Sequence, residues 1–253
     1  MRKFSATQEG RAYPVYVGEA LEHAAAPYMQ GADQILLVSC ARVLRAPVGK
    51  RFEAAIREVC PKVQRHVLPD REAGKRLAVI ERIAEKALKG GATRRSLVFA
   101  LGGGAVTDAA GFLASIYMRG IDWIAAPTTL LGMVDASLGG KTAVNLRFAK
   151  NAIGAFYPPR GVFADVGAIA SLPTRELKSG WGEALKYACL EPALLPKAAA
   201  LARSGRLDEA FVQRCMELKI GVVERDPRER GERKLLNLGH TFGHAVEAAG
   251  GFK

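Results

Sequence analysis

Apolar positions in the first two thirds of the chain alternate between two periods. "YPVYVG" (13–18), "QILLVSC" (34–40), "VQRHVLP" (63–69), "SLVFAL" (96–101) and "DWIAAP" (122–127) are short apolar runs of strand length. Between them, 48–59, 72–90 and 105–118 repeat apolar residues at three and four, and the second of these closes on Lys-Gly as a helix does. Strand and helix in alternation predict a parallel sheet with helices on both faces. After Pro173 the period of two disappears. Residues 174–190, 192–203, 207–225 and 233–249 all carry helical spacing. The pattern therefore predicts an α/β domain over 1–170 and an all-helical domain over 171–253.

Composition changes this picture little. A chain of 253 residues, 49% hydrophobic and 25% charged, can build a full core. The most apolar long stretch, "FALGGGAVTDAAGFLASIYM", is interrupted by Asp108 and glycines, which speaks against a membrane span. Cys40, Cys60, Cys189 and Cys215 form no CxxC pair and read as reduced thiols of a cytoplasmic protein. The net charge of +12 is scattered, without a basic block or interleaved aromatics, so a nucleic-acid partner is not expected. A local cationic cluster around a phosphorylated small molecule is compatible with it.

Four stretches carry candidate chemistry. "FALGGGAVTD" (99–108) is a strand, three glycines and a helix start, which suits phosphate binding by main-chain N–H groups. It departs from GxGxxG, because Thr107 stands where the last glycine belongs. "DASLGGKTAVN" (135–145) ends like a P-loop but has Asp135 in place of the first glycine, so that reading fails and Asp135 and Lys141 remain as a carboxylate and an ammonium beside a glycine turn. "SGWGEALKYA" (179–188) puts Glu183 and Lys186 on one helical face. "RKLLNLGHTFGHAVE" (233–247) holds His240 and His244 four apart, without the glutamate of HExxH. One carboxylate with one or two imidazoles is an ordinary zinc inventory.

Seven motifs in order, "LPDREAGK", "GGGAVTDAAGF", "YMRG", "PTTLLGMVDASLGGKTAVN", "KNAIGAFYPP", "GWGEALKYA" and "NLGHTFGHAVE", resemble the 3-dehydroquinate synthase branch of the sugar-phosphate cyclase family. They run from about residue 68 to the end, and residues 1–67 fit more loosely. The resemblance implies an NAD-binding α/β domain followed by a helical metal-binding domain. It implies transient oxidation of 3-deoxy-arabino-heptulosonate 7-phosphate, β-elimination of phosphate, reduction, and an intramolecular aldol closure.

Carried over residue by residue, the resemblance places NAD at Asp70, Glu72, Lys75, Gly103, Gly104, Asp108, Thr128, Thr129, Ala168 and Ser171, with Lys141 and Lys150 alongside. It assigns Zn2+ or Co2+ to Glu183 and His240. Asp135, Lys141, Lys186, Lys219, Arg233 and Asn237 are implied at the substrate hydroxyls and carboxylate. Lys150, Asn151 and His244 are implied at its phosphate, with Arg119 reaching across a homodimer interface.

Departures are Cys40 in "LLVSCARV", where the family has Asp or Asn near the adenosine ribose, and Leu146-Arg147 in place of a His-Pro pair. A third metal-ligating histidine is expected beyond Lys253, so the chain reads as C-terminally truncated relative to the family. The alternatives are a sister cyclase such as 2-deoxy-scyllo-inosose synthase, or an inactive truncated homologue that binds only NAD.

Overall fold

The computed structural model describes residues 1–8 and 10–249; the side chains at 244, 245 and 247–249 lie outside that description, and with them the expectation for His244. In chain order the elements are β1 (Arg2–Gln8), β2 (Arg11–Gly18), α1 (Glu22–Ala25), β3 (Ile35–Cys40), α2 (Ala41–Arg45), α3 (Pro47–Val59), β4 (Val63–Leu68), α4 (Leu77–Lys89), β5 (Leu97–Gly102), α5 (Gly104–Ile116) and β6 (Trp123–Pro127). β7 (Lys141–Val144), β8 (Ile153–Phe156) and β9 (Val162–Asp165) follow. The chain then continues through α6 (Thr174–Leu190), α7 (Leu195–Ser204), α8 (Glu209–Arg225) and α9 (His240–Ala249).

Seven strands form one sheet in the order β1-β2-β9-β6-β5-β3-β4, and β7 and β8 pair separately as an antiparallel ribbon. The sheet is parallel except at its edge, where β1 runs antiparallel to β2 from Arg2 opposite Val17 to Gln8 opposite Arg11. Strand β5 is central and buried along its whole length, which is why "LVFALG" is a continuous apolar run rather than an alternating one. The chain leaves β3 for β4 on one side and β5 for β6 on the other. The C-terminal ends of β3 and β5 therefore bracket a topological switch point, the place where open parallel sheets hold ligands.

Several elements differ from the sequence pattern. β1, β7, β8 and β9 were not expected. β1 is a polar edge strand, the β7–β8 ribbon is half-exposed, and β9 is four fully buried residues, too short a run to show a period. The helix expected over 72–90 starts at Leu77, after a 3-10 turn at Arg71–Gly74. The helix expected over 105–118 ends at Ile116, because Met118 and Arg119 both adopt positive φ. The helix expected over 233–249 is two pieces. A 3-10 turn spans Glu232–Asn237, Gly239 at φ +83° turns the backbone, and α9 begins at His240. No described helix is long and apolar enough to cross a membrane.

The helices that follow the sheet pack onto it. Thr7 N–H in β1 donates to Glu224 Oε1 of α8 at 2.7 Å. Helix α6 approaches the segment after β6 so closely that a Cβ on Gly180 would stand 2.8 Å from Leu131 N and 2.6 Å from Leu130 Cβ. Among the described residues, Phe242 (81% exposed), Val246, Leu235 and Leu238 leave apolar surface open to solvent around α9.

Two stability predictions follow from this packing. Gly180→Ala should lower stability by about 1–3 kcal/mol in denaturant titration, because the clash is with backbone as well as side chain. His66 on β4 is 4% exposed, and neither ring nitrogen has a hydrogen-bond partner among the described residues. Burial, helped by Lys86, pushes its pKa down to about 4. The unfolded chain, with a value near 6.5, binds the proton more readily in that window. Stability should therefore fall as pH drops from about 6.5 to about 4, by about 3 kcal/mol from this group. In His66→Leu that part of the slope should vanish when unfolding is compared at pH 7 and pH 4.5.

Candidate functional site

Two cavities meet at the C-terminal edge of the sheet. One, of about 730 Å³, lies at the switch point and is lined by Cys40, Asp70, Gly103, Gly104, Thr128 and Thr129, among others. The other, of about 630 Å³, lies between the sheet and the helices, lined by Asp135, Lys141, Lys219, Arg233, Asn237 and His240 with their neighbours. Asp108, Ala136 and Asn151 line both and form the shared wall.

The first cavity has the shape of a phosphate cradle. Gly103 caps the N-terminus of α5 in extended backbone. A Cβ there would meet Thr129 Cγ2 at 2.9 Å, and one on Gly104 would meet the Ala136 methyl at 2.9 Å, so side chains are excluded at the two glycines that line the cavity. Among the described residues, Thr128 Oγ1 is buried without a hydrogen-bond partner. An orphaned hydroxyl beside a glycine-lined helix start fits the pyrophosphate region of a dinucleotide.

The wall is held by one ammonium. Lys75, buried after β4, places Nζ 2.5 Å from Asp108 Oδ2 of α5 and 2.5 Å from Asn151 Oδ1. Asn145 Nδ2 donates to Glu72 Oε2 at 2.5 Å, and Asn145 Oδ1 accepts from Asn151 N–H at 2.8 Å. Three segments distant in sequence thus converge. Burial raises the pKa of Asp108, opposed by Lys75 and assisted by Glu72.

The second cavity is built around Asp135, on a π-helical turn at Gly132–Ala136. Its Oδ1 accepts from Tyr187 Oη at 2.7 Å and from Lys219 Nζ at 2.7 Å, and Lys186 Nζ stands 3.8 Å away. Lys219 also donates to the Asp135 main-chain oxygen at 2.6 Å. Burial disfavours the Asp135 carboxylate, but the Lys219 and Lys186 ammoniums and the two donors outweigh it and hold the group well below the usual range. Burial lowers the pKa of Lys219, opposed by Asp135 and assisted by Lys186 and Arg233. Arg233 is only 2% exposed and donates to the main-chain oxygens of Pro227 at 2.6 Å and Gly139 at 3.1 Å.

Glu183 and His240, 57 residues apart, touch: His240 Nε2 lies 3.2 Å from Glu183 Oε1. His240 Nδ1 lies 3.2 Å from Asn237 Oδ1, so a proton on Nδ1 leaves the Nε2 lone pair facing Glu183. Glu183 also pairs with Lys186. A carboxylate and an imidazole are donors that zinc or cobalt accepts. Among the described residues no group of three His, Cys, Asp or Glu forms a complete set.

The remaining expected residues divide, with some in the dinucleotide-type cavity and some in neither. Lys150 lines the dinucleotide-type cavity rather than the cationic one, Ser171 lines it too, and Ala168 is buried and lines neither. Arg119 lines neither cavity and projects from its left-handed turn. Sequence reasoning missed three residues. Tyr187 and Asn145 fall within motifs it quoted, "GWGEALKYA" and "GGKTAVN", but were given no role. Glu229 was not singled out at all; it pairs with Lys141 and accepts from Asn237 Nδ2 at 2.6 Å.

Comparison with known proteins places this geometry. Residues 65–179 match the family profile "3-dehydroquinate synthase N-terminal" and residues 180–253 match "3-dehydroquinate synthase C-terminal". The 3-dehydroquinate synthase of Xylella fastidiosa (strain 9a5c) is 44% identical over 217 residues, covering 81% of this chain and 55% of that protein. That of Alkaliphilus metalliredigens (strain QYMF) is 39% identical over 254 aligned residues, covering 98% and 70%. This chain thus spans between about half and about two thirds of the length of these relatives.

A crystal structure of 2-deoxy-scyllo-inosose synthase complexed with carbaglucose-6-phosphate, NAD+ and Co2+ superposes with TM-score 0.84 at 27% identity, covering 98% of this chain and 71% of that one. The 2-epi-5-epi-valiolone synthase of Streptomyces hygroscopicus subsp. jinggangensis 5008, with NAD+ and Zn2+ bound, gives 0.81 at 28%, covering 98% and 70%. With residues 65–253 matched by the two family profiles and a 39% identical relative covered over 70% of its length, the chain belongs to the 3-dehydroquinate synthase family.

Proposed function

We propose that this chain carries the reaction core of a 3-dehydroquinate synthase acting on 3-deoxy-arabino-heptulosonate 7-phosphate. The observation that carries the reading is the shared wall: a glycine-lined cleft at the switch point and a cationic cavity meet at Asp108, Ala136 and Asn151. A cofactor and a substrate that exchange hydride must meet in direct contact, and the boundary the two cavities share is where one bound in each would meet. The identities of 44% and 39% to 3-dehydroquinate synthases, against 27% and 28% to the two sister cyclases, favour the dehydroquinate branch.

In this reading NAD held by Gly103, Gly104, Thr128 and Thr129 supplies a reversible hydride acceptor, and a dication held by Glu183 and His240 supplies Lewis-acid polarisation of ring hydroxyls. The chain's own groups do the rest. Lys141 and Arg233 neutralise and, with Asn237, orient the substrate carboxylate; Asn151, on the shared boundary, meets its phosphate, and Lys150 faces the dinucleotide. Asp135, kept ionised by its two lysines, accepts a hydrogen bond from a ring hydroxyl and fixes the ring's orientation. Lys219, with its pKa lowered, is an ammonium able to give up a proton next to the reacting ring. Glu229 stands where the substrate carboxylate would compete for Lys141 and Asn237. The reading includes a cytoplasmic homodimer in which the exposed Arg119 reaches the partner's phosphate site.

The decisive assay is phosphate release by the chain with NAD+ and Zn2+. Turnover of 3-deoxy-arabino-heptulosonate 7-phosphate is expected; cyclisation of glucose 6-phosphate or a heptulose phosphate alone would assign a sister activity. Asp135→Asn should lower kcat/KM by about 100-fold or more, while NAD+ affinity measured by calorimetry stays within about twofold. Equal losses in both would place Asp135 in the fold rather than the reaction.

A further inference from the structure

The cationic cavity has a support that comes from outside its lining. Gly139 and Gly140 precede Lys141, and both adopt positive φ, +79° and +56°, a backbone that favours glycine. Neither has room for a side chain. A Cβ on Gly139 would stand 2.6 Å from Arg233 Nη2, and one on Gly140 would stand 2.5 Å from Gln8 Oε1. The turn therefore packs against Arg233 at one glycine and against the last residue of β1 at the next.

Gln8 and Arg233 also meet on one atom. Gln8 Nε2 donates to the Gly139 main-chain oxygen at 2.9 Å, and Arg233 Nη2 donates to the same oxygen at 3.1 Å. Tyr13, opposite Ala6 in the β1–β2 pair, reaches the same turn. Burial pushes its pKa up to about 12, opposed by a hydrogen bond to the Gly139 main chain and by the Arg233 charge. β1 is itself fastened to α8, which carries Lys219: Arg2 Nη1 lies 3.3 Å from Gln213 Oε1, in addition to the Thr7 contact with Glu224.

Stability does not account for an amide at this position. Gln8 is 1% exposed, and its Oε1 is buried with no hydrogen-bond partner among the described residues. A half-satisfied buried amide costs free energy that an apolar side chain of the same length would not. What the amide supplies is a second donor on the Gly139 oxygen. That oxygen fixes Nη2 of Arg233, while the Pro227 oxygen fixes Nη1. Any shift of the Gly139 oxygen therefore moves the guanidinium that lines the cavity.

We infer that Gln8 is a positioning residue for Arg233: through the Gly139 oxygen it sets where the guanidinium meets the substrate carboxylate. The N-terminal hairpin, which precedes all seven motifs, thereby takes part in selecting a sugar phosphate that carries a carboxylate. This rests on the reading of the cavity as the site of that substrate.

Calorimetry on the whole chain tests it with Zn2+ present and NADH in place of NAD+, because NADH cannot accept a hydride and the substrate then binds without turnover. The probes are 3-deoxy-arabino-heptulosonate 7-phosphate and a heptulose 7-phosphate, which lacks the carboxylate. Wild type should prefer the acid. Gln8→Met, close to the native side chain in length, should weaken the acid by about tenfold. The heptulose phosphate should stay within about twofold, and the melting temperature should not fall. Gln8→Leu should give the same selective loss and serves where Gln8→Met is poorly folded. Unchanged affinity for the acid in these variants overturns the role of Gln8 and leaves the cavity's function standing. Equal weakening of both probes makes Gln8 a residue of the fold and overturns it as well. Failure of wild type to bind either probe removes the sugar-phosphate reading of the cavity, and the role of Gln8 with it.

Discussion

Asp135 is a half-buried carboxylate whose neighbours are two buried ammonium groups and a phenol hydroxyl. Its own turn follows β6, Lys219 comes from α8, and Lys186 and Tyr187 come from α6. One anion therefore ties both long helices to the sheet, and it does so at the centre of the cationic cavity. Removing it would strand two lysines in a low-dielectric site, which is far costlier than losing a surface ion pair. The same cluster extends through Lys186 to Glu183 and from there to His240, Asn237, Glu229 and Lys141. Asp135, Lys186, Glu183, His240, Asn237, Glu229 and Lys141 are consequently one connected series, in which each side chain's orientation depends on the next.

The second organising contact is Lys75. It stands between the two cavities and is satisfied by an acid from α5 and an amide from the loop between β7 and β8. The paired ribbon matters because it brings Asn145 and Asn151 back beside the sheet, where they complete the wall. The ribbon's loop adds Asn151 to a boundary that Asp108 of α5 and Ala136 also form.

The interior of the fold was legible from the sequence because buried parallel strands and amphipathic helices leave strong patterns. β3, β5 and β6 appear as apolar runs, and α3 and α6 were placed to within a residue. β1 was invisible because an edge strand with one solvated face is mostly polar, and β9 because four residues carry no period. Gly239 broke a helix that spacing alone would have continued. At the site, expected residues such as Lys75, Asp108 and Asn151, or Asp135 and Lys219, do come together in space. Tyr187 and Glu229 escaped notice because their importance lies only in what they touch. A tyrosine beside a lysine on a helix looks like packing, and a glutamate in "ERDPRERGER" looks like one charge among many.

The open apolar face around α9 bears on how this polypeptide behaves as a colloid. Phe242, Val246, Leu235 and Leu238 attract one another between molecules, while the excess of twelve positive charges pushes whole molecules apart. Ionic strength acts on the two in opposite senses. Salt shortens the reach of the repulsion, and kosmotropic anions strengthen the attraction. Dilute buffer favours dispersed chains, and concentrated sulfate favours association, to which this apolar surface contributes.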